Sequence, residues 1–267
     1  MIRGEDIMSF EIIDFHTHPF IENKHNICNY PGTSSMSAQN TFDVMQGLGV
    51  SAICGSVVEV SSADYSNNWE KIKANNNTAL ELKEIYGEFY VPGFHVHPHY
   101  VEESIAEIHR MKENGVCLIG ELVPCIYGWS DYSESAFSEI LSEAGKCNMI
   151  VSVHSRDNDA MDKMVQDHKD VIFVAAHPGE KADFFRHIER AKMSENYYLD
   201  LSGYGMFRYG MLRKAIDSFG VDRILFGSDF PTCHPGMYIG GVLMDNLVSD
   251  SEKEKILSLN AKKLLNL

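Results

Sequence analysis

The chain has 267 residues, 44% of them hydrophobic and 10% aromatic, and carries a formal net charge of −15. Such a composition supplies a large core and excludes a disordered chain, and the negative balance argues against holding nucleic acid or an anionic membrane through a general positive field. The length suits one α/β barrel, so a single domain over residues 1–267 is expected.

From the N-terminus onward, "MIRGEDIMSFEIIDF" lacks a long apolar leader core. No later segment reaches the run of about 18 apolar residues that a membrane span requires, and a cytoplasmic location is the expectation. Six cysteines are scattered with no C-x-x-C pair, as reduced core thiols rather than a disulfide framework or a zinc ribbon.

Eight short apolar runs alternate with stretches of helical period: "EIIDFH", "VSAICGSVVE", "YVPGFHVH", "VCLIGEL", "MIVSVH", "VIFVAAH", "YYLDLS" and "RILFGSD". Several are nearly continuous in apolar residues, as parallel strands buried on both faces would be. Helices are predicted in "SESAFSEILSEAGKC", "DAMDKMVQDH" and "KADFFRHIERAKM", with Gly220 stopping the one that ends "AIDSF". The last segment, "SEKEKILSLNAKKLLNL", opens with a Ser251-to-Glu254 capping box and sets Leu257, Ala261, Leu264 and Leu265 on one stripe, a closing helix. Two polar stretches, Pro19 to Asn40 and Ser61 to Asn77, are expected to be loops at the C-terminal ends of the first two strands. The pattern predicts one (βα)8 TIM barrel of the α/β class.

Polar residues able to bind metal fall at the C-terminal ends of the runs: His16 and His18 after the first, Glu121 the fourth, His154 the fifth, His177 the sixth and Asp229 the eighth. On an extended strand His16 and His18 point the same way and form a chelating pair. Each alone has an ordinary alternative: a rim salt bridge for Glu121, a hydrogen-bonded core imidazole for His154 or His177, a turn cap for Asp229. In a barrel, all these strand ends meet at one mouth. Four imidazoles and two carboxylates are the number and kind of ligands that a pair of divalent ions takes up.

These stretches also resemble a known family. "DFHTHP" is similar to the D-x-H-x-H motif of the amidohydrolase superfamily, in particular the amidohydrolase-2 type of TIM-barrel metal-dependent hydrolase. "SVHS", "AAHPG", "YYLDLSG" and "ILFGSDFP" resemble its fifth to eighth strand ends, and "LNAKKLL" its closing N-A-x-x-L-L helix, so the likeness runs from Ile12 to Leu265. The resemblance implies that His16, His18 and Asp229 hold one ion, that His154 and His177 hold the other, and that Glu121 bridges them where many members use a carboxylated lysine. TatD-type deoxyribonucleases use a glutamate in a similar context. The implied cofactor is two Zn²⁺ or similar divalent ions per chain, or one, as in single-metal members such as aminocarboxymuconate semialdehyde decarboxylase.

The implied activity is hydrolysis of an amide, ester or lactone bond in a small molecule, by water made acidic at the metals, with Asp229 as the acid-base catalyst. A single-metal decarboxylase of an aromatic or unsaturated carboxylic acid is one alternative, and a TatD-like phosphodiesterase is another. Neither a nucleic-acid partner nor a membrane is expected, and the resemblance allows a homodimer. Candidate substrate contacts are Arg156, His97, Tyr204 and His234, each of which also reads as an ordinary loop residue or pocket wall. Asp14 could orient a ligand imidazole. His95, His97 and His99 alternate at the end of the third run as pocket wall rather than a second metal site.

Overall fold

A computed structural model describes residues 10–21, 37–58 and 68–267. All eight predicted runs are strands: β1 Ile12–Asp14, β2 Val50–Ser56, β3 Tyr90–Phe94, β4 Leu118–Leu122, β5 Ile150–His154, β6 Ile172–Ala176, β7 Tyr197–Asp200 and β8 Ile224–Leu225. They pair in parallel in sequence order. Between β8 and β1 the sheet closes just past the regular strands: Phe15 N–H donates to Phe226 O (2.9 Å), Asp229 N–H to His16 O (2.8 Å) and His18 N–H to Phe230 O (2.7 Å). The architecture is a (βα)8 barrel.

Alternate residues along the strands enter two cores. Ile13, Leu118, Ile150, Val174 and Leu225 form the inner one, with Ala261 and Leu265 of the C-terminal helix against them. Ile12, Ile119, Val151, Phe173 and Ile224 point the other way and pack under the helices. Each strand is thus buried on both faces, which accounts for its continuous apolar character.

The three predicted helices lie at Ser135–Lys146, Asn158–Asp167 and Lys181–Met193, and Gly220 ends Met211–Phe219 with φ 79°. The C-terminal capping box is at Ser249 and Glu252, not Ser251 and Glu254. Both pairs have the right spacing, but Ser249 has the extended backbone of a cap (φ −72°, ψ 159°), while Ser251 already lies inside the helix. A π turn over Lys255–Leu259 follows before the final helix Asn260–Leu265.

The two long polar stretches are only partly loops. Ala38–Gly47 and Trp69–Tyr86 are helices, capped by Ser37 and Asn68; residues 22–36, which include Cys28, and 59–67 lie outside the described residues. The run "ANNN" hides the second helix because asparagine is a poor helix former. Its Asn76 is buried for a reason: the side chain accepts from His95 N (2.8 Å) and donates to His95 O (3.0 Å), fixing the end of β3.

One buried histidine gives the fold a pH dependence. His187 Nδ1 accepts the Tyr197 hydroxyl proton (2.7 Å) beside the buried Arg190. Burial, and then the Arg190 charge, push its pKa down from 6.5 to about 3. It is neutral in the folded chain but gains a proton on unfolding below about pH 6.5. Its contribution is therefore complete above that pH and lost as pH falls toward 3, at up to about 1.4 kcal/mol per unit. Urea unfolding at about pH 7 and about pH 5 should show a smaller acid loss in His187→Gln than in the unmodified chain. Equal losses would mean that His187 is not the titrating group.

Candidate metal centre

The six strand-end residues meet at the barrel mouth. β1 ends at Asp14, but the hydrogen bonds on both sides keep the next residues extended, so His16 and His18 still face one way. Their Nε2 atoms lie 3.2 Å apart and the rings stand at 84°. Asp229 Oδ1 is 3.5 Å from His18 Nε2 and 3.8 Å from His16 Nε2. On the other side His154 Nδ1 and His177 Nε2 are also 3.2 Å apart. Glu121 sits between the pairs: Oε2 is 3.5 Å from both His16 and His18, while Oε1 is 2.9 Å from His154 and 3.3 Å from His177.

This donor set fits divalent ions. Ligands about 2.0–2.2 Å from a shared tetrahedral ion lie about 3.3–3.6 Å apart, close to the separations here. The imidazoles are held in the ligating tautomer by their far nitrogens. His18 Nδ1 donates to Ser56 O (3.1 Å), and His16 Nδ1 to Asp200 Oδ2 (2.9 Å). Ser202 gives its hydroxyl proton to Asp200 Oδ1, leaving its oxygen to accept from His177 Nδ1 (3.1 Å). His16, His18 and His177 therefore aim Nε2 lone pairs into the mouth.

The electrostatics call for positive charge. Glu121, Asp200 and Asp229 are all buried. Burial alone would raise Glu121, but His16 and His154 outweigh it and hold its carboxyl well below the ordinary range. Burial likewise opposes a charged His16, yet Asp200 and Glu121 drive its pKa well above the usual value. Protons or cations must balance these carboxylates, and cations satisfy all the lone pairs at once.

Backbone strain marks the same place. His177 and Asp229 adopt left-handed φ of 68° and 64°, a conformation costing a non-glycine residue of order 1 kcal/mol or more that tends to persist at functional sites. Gly203 supplies room for His177: a Cβ there would stand 2.2 Å from its Nδ1.

Asp200 was not among the residues singled out from the sequence, although it too ends an apolar run. Alanine at Asp200 should weaken metal binding about 10- to 100-fold, read by competition with a chromophoric chelator; an unchanged affinity would remove its orienting role. Asp14 does not orient an imidazole. Its Oδ1 accepts from the backbone N–H of His16 (3.2 Å) and Ser228 (2.9 Å), tying β1 to β8.

The expected substrate contacts separate. Arg156 is exposed after β5, where the nearby Tyr132 hydroxyl bonds Leu122 O and His154 O at the ends of β4 and β5. His97 is buried and spends both nitrogens internally: Nε2 donates to Tyr127 O (2.8 Å) and Nδ1 accepts from His99 N (3.1 Å). That leaves it no polar atom for a substrate. Tyr204 is half-exposed against Phe207, with rings 5.3 Å apart. His234 Nδ1 caps the helix Pro235–Leu243 by accepting from Gly236 N (3.1 Å). His95 is buried, with Nε2 donating to Val57 O (2.9 Å), and it forms no cation cluster with His97 and His99 among the described residues. No helix among the described residues is long and apolar enough to cross a membrane.

Solved structures with this fold include 2,6-dihydroxybenzoate decarboxylase from Rhizobium, at 14% identity and TM-score 0.77 over 96% of this chain and 99% of that one. A probable 2-pyrone-4,6-dicarboxylic acid hydrolase from Acinetobacter baumannii, with citric acid bound, aligns at 16% identity and TM-score 0.67 over 96% and 100%. The 5-carboxyvanillate decarboxylase of Novosphingobium aromaticivorans, complexed with manganese, aligns at 12% identity and TM-score 0.75 over 97% of each chain. No curated protein matches the chain in sequence. The family model described as Amidohydrolase matches residues 13–267, from β1 through the closing helix, and the chain belongs to that family of metal-dependent enzymes.

Proposed function

We propose that the protein is a metal-dependent hydrolase that cleaves an amide, ester or lactone bond of a small molecule. The disposition of Glu121 carries this reading: one carboxylate oxygen faces the His16/His18 pair and the other the His154/His177 pair. Such a carboxylate suits two ions, and a bridge has no use in a decarboxylase built on one. His16, His18 and Asp229 would hold the first ion, His154 and His177 the second, and Glu121 both. Divalent ions held by these residues would supply water of lowered pKa and a Lewis acid for the scissile carbonyl.

Asp229 would handle the proton. Its Oδ1 faces His16 and His18, whereas Oδ2 lies toward Cys233 Sγ (4.0 Å), a weak donor at most. Oδ2 is the oxygen left to accept a proton from the attacking water and pass it to the leaving group. Arg156, exposed beside the β5 end, would meet an anionic substituent of the substrate.

Metal analysis together with a panel of esters, lactones, amides and aromatic carboxylates tests the assignment. About two ions per chain at the mouth and turnover of an ester, lactone or amide are expected, with single-stranded DNA left intact. One ion that survives Glu121→Ala, with carbon dioxide released from a carboxylate, would replace the hydrolase with a decarboxylase.

A further inference from the structure

We propose that His109, Glu143 and Cys147 form a separate site on the outside of the barrel for one divalent cation of the Zn²⁺ or Co²⁺ type. Glu143 and Cys147 are four residues apart at the C-terminal end of helix Ser135–Lys146, where Cys147 is the cap residue, so their side chains share a face. His109 reaches them from the neighbouring helix Val101–Glu113.

The three groups converge. His109 Nε2 is 3.1 Å from Glu143 Oε1, and Cys147 Sγ is 3.9 Å from both Glu143 Oε1 and His109 Nδ1. One ligand atom from each residue lies within 4.8 Å of the others. A thiolate at about 2.3 Å and an imidazole or carboxylate at about 2.0–2.2 Å from one tetrahedral ion would be about 3.3–3.6 Å apart; Glu143 and Cys147 lie nearest different nitrogens of His109, so its exposed ring must turn to bring a single nitrogen to both. Lys146 takes the other Glu143 oxygen at 3.0 Å and leaves Oε1 facing the thiol and the ring.

The chemistry selects the ion. Sulfur, nitrogen and oxygen together favour a borderline cation over calcium or magnesium, which prefer oxygen alone. The His109 side chain is 52% exposed and Glu143 18%, which provides a way in and leaves a fourth position for water. Cys147 is a free thiol, 8% exposed, and binding releases its proton to solvent. A loaded site would fasten the two helices and stabilise the fold in proportion to ion occupancy.

Titrating the full chain with Co²⁺ tests the site independently of any activity, since a cobalt thiolate absorbs in the near ultraviolet and the mouth candidates are all nitrogen and oxygen donors. The band should saturate with about one Co²⁺ per chain beyond those taken up by the mouth, vanish in Cys147→Ser, and persist in Cys233→Ser, whose thiol lies near the mouth. Zn²⁺ should abolish it, and His109→Ala should need at least about tenfold more Co²⁺. No band, a band that survives Cys147→Ser, or a His109→Ala affinity equal to the unmodified chain would each overturn the proposal. Circular dichroism establishes that the variants are folded, and Glu143→Gln gives a second ligand test if Cys147→Ser is not.

Discussion

Asn in place of Asp229 should lower kcat about 10²- to 10⁴-fold, the usual contribution of a positioned acid-base group. The substitution is nearly isosteric and keeps an oxygen on the side facing His16 and His18, while the amide nitrogen cannot take up a proton as Oδ2 would. Steady-state kinetics on the best substrate of the panel, with metal content measured on the same preparation, separate the effects. A fall in kcat with ions retained places the proton on Asp229. A loss of ions in proportion to activity would show that it serves only as a ligand, and full activity would remove it from the chemistry.

A Glu121→Gln substitution should cost the second ion. Its two oxygens serve different imidazole pairs, and an amide offers a neutral oxygen on one side and a donor on the other, which repels a cation. Loss of a partner that merely orients a ligand typically costs 10- to 100-fold in metal affinity, so removal of the bridge should exceed about 100-fold for the weaker ion. Isothermal titration of chelator-treated protein reads this directly: two binding events at the mouth in the unmodified chain and one in the variant, apart from any at the His109–Glu143–Cys147 site. Two unchanged events would remove the bridging role. The contrast with Asp229→Asn is informative, because one variant should fail with its metals in place and the other through losing them.

The barrel was legible because its strands are local objects. Burial on both faces demands unbroken apolar runs such as "VIFVAA", and the βα order constrains how they pair. The candidate centre was legible for a related reason: strand C-termini converge, so His16, Glu121 and Asp229 could be gathered without knowing their distances. Asp200 followed the same rule and was passed over because its run reads like any other strand end.

What the sequence by itself determined is the number and order of the strands, the mouth to which their last residues belong, and the kind of side chains collected there, since all of these follow from periodicity and position. Tertiary structure alone decided the assignments among neighbours. It gave His16 to Asp200 and Asp14 to two backbone amides, withdrew His97 into the packing, and moved the final helix cap from Ser251 to Ser249. It also brought His109 to Cys147 across two helices. The physical reason is that a hydrogen bond or an ion site depends on which atoms come within about 3 Å, and for residues nearly two hundred positions apart that separation is set by the packing of the whole chain.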